Sequence, residues 1–194
     1  MRTRHIQGHA NRGMDFENLL ESVHERYAQK KIAIIQKVPT EFIPLRGYDG
    51  KIVGCKVAKK SIVDYLGRYK NIPVAVEAKR VDADRITYNE VEKHQACFMD
   101  DFCWQGNAKG IVIVSFRLKD FYAIPWDYWR EAYYAWNHRK DQSKRSCENR
   151  TVKWNGKEYV TNGKGGIDKD EIPKEWKIEL AQELILPYLQ VLDK

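Results

Sequence analysis

The run Ile111-Val-Ile-Val-Ser-Phe116, preceded by Gly110, constrains the fold more than any other segment of this 194-residue chain. It is too short for an ordinary helix and too continuously apolar for a strand with one wet face. It reads as a central strand covered on both sides, and a sheet with helices on its faces supplies two such covers. Phe16, Leu19, Leu20, Val23 and Tyr27 recur at helical spacing from Asp15 onward. A second helix is predicted from the capping-box pattern Thr87-Tyr-Asn-Glu90 to about Trp104, and an aromatic one over Trp126 to Asn137. Further strands are predicted over Lys31–Val38, Ser61–Leu66, Ile72–Lys79 and Phe121–Ile124. Gly67-Arg-Tyr-Lys-Asn71 joins two of them as a natural antiparallel hairpin. The class is α/β: a mixed β-sheet flanked by helices.

Three segments stand outside this core, predicted over residues 14–137. Residues 1–13 carry Arg2, Arg4 and Arg12 with no acidic residue and read as a basic, flexible arm, unless they are a start-site artefact. Residues 40–60 hold Pro44, Gly47, Gly50 and Gly54, with Lys51, Lys56, Lys59 and Lys60 among their bases. They read as a protruding basic loop or two-stranded excursion, although a loop charged merely for solubility has the same composition. Residues 138–194 are expected to extend the same domain. They hold a hairpin within Val152–Val160, turning at Asn155-Gly156, and an amphipathic helix from about Glu175 to Leu192, kinked at Pro187.

Charge narrows the partner. Lys and Arg number 34 against 27 Asp and Glu, a net of +7 that suits a polyanion such as nucleic acid. No apolar run approaches the ~18 residues that span a bilayer, and the start lacks the apolar stretch of a secretory signal. These features predict a soluble intracellular protein with no membrane partner. Cys55, Cys97, Cys103 and Cys147 show no Cys-x-x-Cys spacing, and His94 with Cys97 has no second pair to complete a zinc site, so reduced thiols are expected.

The chemistry gathers at Asp64, Glu77 and Lys79. Alternation along a strand puts Glu77 and Lys79 on one face, and a hairpin of 61–66 with 72–79 brings Asp64 within a few Å of Glu77. Two carboxylates and an ammonium beside an apolar sheet are costly to desolvate without a compensator. A hard divalent cation is the natural one, and it suits phosphodiester hydrolysis. Lys79 would then orient or help deprotonate the attacking water and offset charge in the transition state. An ordinary surface Glu–Lys ladder has the same spacing. Gln95 interrupts an apolar helix stripe and needs a polar partner. Glu17 lies beside the first helix's apolar stripe, near enough to the sheet edge for an outer carboxylate, although a solvated helix charge is the plainer reading of the same position.

At these residues the chain resembles the RecU-type Holliday junction resolvases of Gram-positive bacteria and their phages, within the PD-(D/E)xK nuclease superfamily. The resemblance runs through Asn11-Arg-Gly-Met-Asp-Phe-Glu17, Ile32–Thr40, Asp64-Tyr-Leu-Gly67, Val76-Glu-Ala-Lys79, His94-Gln95 and Gly110–Phe121. It implies a restriction-endonuclease-like fold and an endodeoxyribonuclease that makes paired symmetric nicks in four-way DNA junctions during recombination and repair. It implies a homodimer, a recombinase partner, and a cytoplasmic, nucleoid-associated location. Asp64 and Glu77 fall on the family's metal ligands (Mg²⁺, with Mn²⁺ as a substitute), Lys79 on its catalytic lysine, Gln95 and Glu17 on its helix glutamine and glutamate. Phosphate contacts are expected from Arg2, Arg4, Arg12, Lys51, Lys56, Lys59 and Lys60. Val63 stands where the superfamily signature has proline, segment 40–60 is shorter than the family's stalk, and residues after about 126 match poorly. A less selective nuclease of the superfamily and a non-catalytic DNA-binding protein are the alternatives.

Overall fold

The fold is taken from a computed structural model that describes residues 10–137, 150–154, 156–161, 164–180 and 188–193. Its centre is β7 (Lys109–Phe116), in which every residue after Lys109 is buried, as its apolar run requires. On one side β7 pairs in parallel with β5 (Ile72–Val81), and on the other antiparallel with β8 (Asp120–Pro125). β4 (Tyr65–Tyr69) pairs antiparallel with β5, and β1 (Ala33–Lys37) with β4. The two-residue strand β12 (Lys177–Ile178) closes the far edge on β8. The result is a mixed six-stranded sheet in the order β1-β4-β5-β7-β8-β12.

Helix α1 (Ala10–Gln29) covers one face through Phe16, Leu20, Val23 and Tyr27, all buried. It begins at Ala10, so the last four residues of the expected arm are helical, Arg12 among them; Arg2 and Arg4 lie outside the described residues. Helices α2 (Lys93–Trp104) and α3 (Trp126–Asn137) pack on the other face. Gly110 is what lets them close in. A Cβ there would stand 2.6 Å from Trp126 Cβ and 2.8 Å from Met99 Cε, so only glycine fits. The expected class, a mixed sheet flanked by helices, is the one found.

Outside the sheet, β2 (Glu41–Arg46) and β3 (Ile52–Lys59) form a separate antiparallel ribbon, the two-stranded alternative foreseen for 40–60. β9 (Arg150–Trp154) pairs with β10 (Lys157–Thr161) as a hairpin, with Gly156 at φ +75°. β6 (Arg85–Thr87) pairs with β11 (Gly166–Asp168). The expected helix over 175–192 does not form among the described residues, which hold a 3₁₀ turn at Lys174–Trp176, β12, and a second 3₁₀ segment at Tyr188–Asp193. Packing overrides the amphipathic pattern. Trp176 is fully buried against Tyr128, Trp154 and Tyr159, and the open edge of β8 takes the next two residues as a strand.

The C-terminal segment is tied to α1 by buried polar contacts. The Tyr188 N–H donates to Tyr27 Oη at 2.9 Å, and Tyr188 Oη lies 3.0 Å from His24 Nε2. Burial lowers the His24 pKa to about 4, which keeps the ring neutral. Tyr188→Ala would remove a buried ring and strand the His24 contact, at a cost of roughly 3–5 kcal/mol. Urea unfolding should report that loss.

Candidate active site

The β4–β5 hairpin turns at Lys70-Asn71 and sets Tyr65 opposite Val76, which carries Asp64 to Glu77 one step further along. β4 starts at Tyr65, after the predicted strand start at Ser61, because Asp64 replaces the ladder with its own side chain. Its Oδ2 accepts the Ala78 N–H at 2.8 Å, a donor that the Val63 carbonyl would have taken had the pairing continued. Its carbonyl accepts the Val38 N–H at 2.8 Å. Asp64 is thus fixed from both neighbouring strands.

Glu77 lies deep in the sheet, opposite Val112, with no solvent exposure. Its Oε1 accepts from Lys79 Nζ at 2.7 Å and from Gln95 Nε2 at 2.6 Å. Its Oε2 is buried with no hydrogen-bond partner. Burial drives the carboxyl pKa up to about 7; Lys79 opposes that rise and the neighbouring Asp64 carboxylate adds to it. The spacing argument therefore holds in three dimensions: Asp64, Glu77 and Lys79 converge, and they do so in a desolvated place, unlike an exposed Glu–Lys ladder.

Gln95 owes its orientation to helix capping. Its Oε1 accepts the Glu92 N–H at 2.9 Å, so the amide nitrogen is left to face Glu77. The capping box thus belongs to Glu92 and Gln95, while the predicted one at Thr87–Glu90 becomes a 3₁₀ turn at Tyr88–Glu90. One side chain both starts α2 and holds a catalytic candidate, which is why a polar residue sits in the buried stripe beside Ala96 and Met99. Gln95→Ala should lower cleavage about tenfold, as loss of outer hydrogen bonds to a metal ligand does, measured as single-turnover rate on saturating DNA.

Glu17 makes no contact with this cluster. Glu77 and Lys79 point to the α2 face, whereas α1 packs on the face of Val76 and Ala78, where the Tyr65 hydroxyl donates at 3.4 Å to the carbonyl of Glu17. Its carboxylate pairs with Lys37 Nζ at 2.8 Å, which also binds Glu21. The Lys60 ammonium is held by Glu92 at 2.6 Å, beside His94, whose Nε2 lies 3.0 Å from the Ser61 carbonyl. These contacts fasten the ribbon's base to the start of α2. Lys51 and Lys56 are exposed on the ribbon, and Lys59 ends β3. The composition of the ribbon hid one feature: Phe42, Ile43, Leu45, Ile52, Val53 and Val57 are all exposed.

The donor set fits a hard divalent cation. Asp64 and Glu77 offer carboxylate oxygens side by side, one of them buried and unpartnered, an oxygen that a cation would satisfy. Among the described residues no third Asp, Glu, His or Cys joins them at ligand spacing. Two carboxylates, completed by water and phosphate oxygens, is the coordination Mg²⁺ favours.

The family model for Recombination protein U matches residues 11–162, well over half of the chain. The chain belongs to the RecU family. The RecU match runs through β9 and β10, beyond the point near residue 126 where the resemblance in sequence fades. Among curated relatives, the Holliday junction resolvase RecU of Streptococcus gordonii is 29% identical over 131 residues, 64% of this chain and 65% of that protein. The RecU of Streptococcus pyogenes serotype M1 is 31% identical over 131 residues, 60% of this chain and 61% of that one. The RecU of Lactococcus lactis is 27% identical over 64% of this chain and 61% of its own length. The chain thus spans a little under two thirds of the length of these relatives. A solved structure of Hjc, a Holliday junction resolvase of Archaeoglobus fulgidus, aligns with 57% of this chain and 77% of its own at TM-score 0.38 and 9% identity, too distant a likeness to carry weight.

Proposed function

We propose that this chain is a Holliday junction resolvase: an endodeoxyribonuclease that uses Mg²⁺, or Mn²⁺ in its place, to nick opposed strands of a four-way DNA junction. The observation that carries the reading is the buried Glu77 carboxylate, with one oxygen held by Lys79 and Gln95 and the other unpartnered beside Asp64. A divalent cation bound there would polarise the scissile phosphoryl group and acidify the attacking water. Asp64, held by Ala78 and Val38, and Glu77, held by Gln95, are pre-oriented to ligate it. A cation bound there would share the neutralisation of Glu77 with the Lys79 ammonium, which holds Oε1. The remaining Lys79 donors are then free to position water and to meet the negative charge that builds on the phosphorus oxygens.

The ribbon supports junction DNA over plain duplex. Its exposed Phe42, Ile43, Leu45, Ile52 and Val57 suit the unstacked base faces of a branch point, and Lys51, Lys56 and Lys59 suit the phosphates around it. Arg2, Arg4 and Arg12 would add phosphate contacts, and recognition would be of shape, with affinity falling steeply with salt. Paired nicks need two sites related by a two-fold axis, hence a homodimer. A recombinase partner and action at the nucleoid belong to the same reading. Among the described residues no helix is long and apolar enough to cross a membrane.

The test compares a mobile four-way junction with linear duplex, flap and single-stranded DNA, with Mg²⁺, with Mn²⁺ and with chelator. Symmetric nicks confined to the junction and dependent on the cation support the reading. Equal cutting of flap and duplex would leave a less selective nuclease, and no cutting of any substrate would leave a DNA-binding protein.

A further inference from the structure

The ribbon and the carboxylate pair share one root. β2 and β3 pair with each other and with no strand of the six-stranded sheet, so the chain enters the ribbon through residues 38–40 and returns through 60–64. The Val38 N–H donates to the Asp64 carbonyl at 2.8 Å, which ties the two connections together at Asp64 itself. Asp64 is the point where the returning chain rejoins the sheet, and a ribbon free to tilt would pull on its backbone.

The first turn of α2 grips this root. Both carboxylate oxygens of Glu92 accept from Lys60 Nζ, at 2.9 and 2.6 Å, and Lys60 is the residue that follows β3. One residue further, the Ser61 carbonyl accepts from His94 Nε2 at 3.0 Å, and His94 Nδ1 lies 3.5 Å from Glu92 Oε2. The Glu92 N–H donates to Gln95 Oε1 at 2.9 Å, and Gln95 Nε2 donates to Glu77 Oε1 at 2.6 Å. Lys60, Glu92, Gln95 and Glu77 form an unbroken polar chain from the ribbon to the buried carboxylate.

The Lys60 and Glu92 side chains are 64% and 50% exposed, and an ion pair in that setting adds little to stability. What it fixes is an angle. Strand β3 has 8 residues. At strand rise these span ~26 Å, so a tilt of about 10° at the root moves the ribbon tip by roughly 4 Å. That exceeds the ~3.4 Å rise per nucleotide of a DNA strand.

We infer that Glu92 is a positioning residue: by holding Lys60 beside the His94–Ser61 contact, it sets the register between DNA seated on the ribbon and the phosphate presented to Asp64 and Glu77. The inference rests on the nuclease reading. It gives Lys60 a different task from the exposed Lys51 and Lys56, since its ammonium is spent on protein and not on phosphate.

Glu92→Gln and Lys60→Gln each remove the ion pair and leave the Glu92 N–H, and so its contact with Gln95, in place. Full-length protein is given Mg²⁺ and a four-way junction whose sequence forbids branch migration, and nicks are mapped to the nucleotide on each strand. Wild type should nick one position per cleaved strand, whereas each variant should spread its nicks over about two or three neighbouring positions, with the rate at the wild-type position down about tenfold. The double variant should be no worse than either single one, because the same contact is lost in all three. Junction affinity in chelator and Mn²⁺ uptake without DNA should stay within about twofold of wild type, which separates a lost register from a damaged fold or metal site. Nicks confined to the wild-type position in every variant would overturn this inference alone. So would weaker junction binding by Lys60→Gln only, which would make Lys60 a phosphate contact, and so would lost Mn²⁺ uptake, which would make the pair a support of the fold. A wild type that cuts no junction would instead fell the nuclease reading, and the role of Glu92 with it.

Discussion

Asp64→Asn should abolish cation-dependent cleavage, by roughly 10³-fold or more, while junction affinity in chelator stays within about a factor of three. The amide keeps the size of the side chain, and its oxygen can still accept the Ala78 N–H that fixes residue 64. What it loses is the charge needed beside Glu77. The phosphate contacts proposed for the ribbon do not involve Asp64, so binding has no reason to fall. Gel-shift titration and single-turnover cleavage of one labelled junction read both quantities. Loss of binding together with cleavage would mean that residue 64 supports the fold, and surviving cleavage would remove it from the chemistry.

Glu77→Gln should abolish cleavage to a similar extent and yet stabilise the cation-free protein at alkaline pH. Burial raises the native Glu77 pKa from 4.5 to about 7. Between those values the native state therefore binds more protons than the unfolded chain, so stability falls as pH rises through the window and levels off above it. This is opposite in sign to an ordinary salt-bridged carboxylate. Above pH 7 the ionised side chain costs the fold roughly 3 kcal/mol, which glutamine does not incur, while its carbonyl can still accept from Lys79 and Gln95. The melting temperature of the variant should exceed wild type at pH 8 and approach it at pH 5. Mg²⁺ should raise the wild-type melting temperature at pH 8 and leave the variant unmoved, because a bound cation relieves the same penalty. A variant less stable than wild type at pH 8 would mean that the Lys79–Glu77 ion pair outweighs desolvation.

Much of this was legible in the sequence because it follows from period-two alternation and turn chemistry. Ile111–Phe116 announced a doubly covered strand, and Glu77-Ala-Lys79 announced two polar groups on one face. The short connection Gly67–Asn71 announced their approach to Asp64. Gln95 announced itself as a polar residue in an apolar stripe, but its reach to the Glu92 N–H depends on where α2 starts, which turned on a 3₁₀ turn that no local pattern marks. The place of Glu17 was not legible, because helical spacing says which side of α1 is apolar and nothing about which face of the sheet α1 covers. The region after residue 171 misled for a tertiary reason, since Trp176 burial and the vacant edge of β8 outweigh helical periodicity.

The central claim is that Asp64 and Glu77 together hold a divalent cation. Mn²⁺ titration at pH 8, following the free-ion paramagnetic signal in wild type, in Asp64→Asn and in Glu77→Gln, addresses it without DNA or turnover. Saturable uptake by the wild type that is lost in each variant is the predicted result. Uptake of equal affinity in all three proteins would contradict it, and with it the assignment of this hairpin as the place where the DNA backbone is cut.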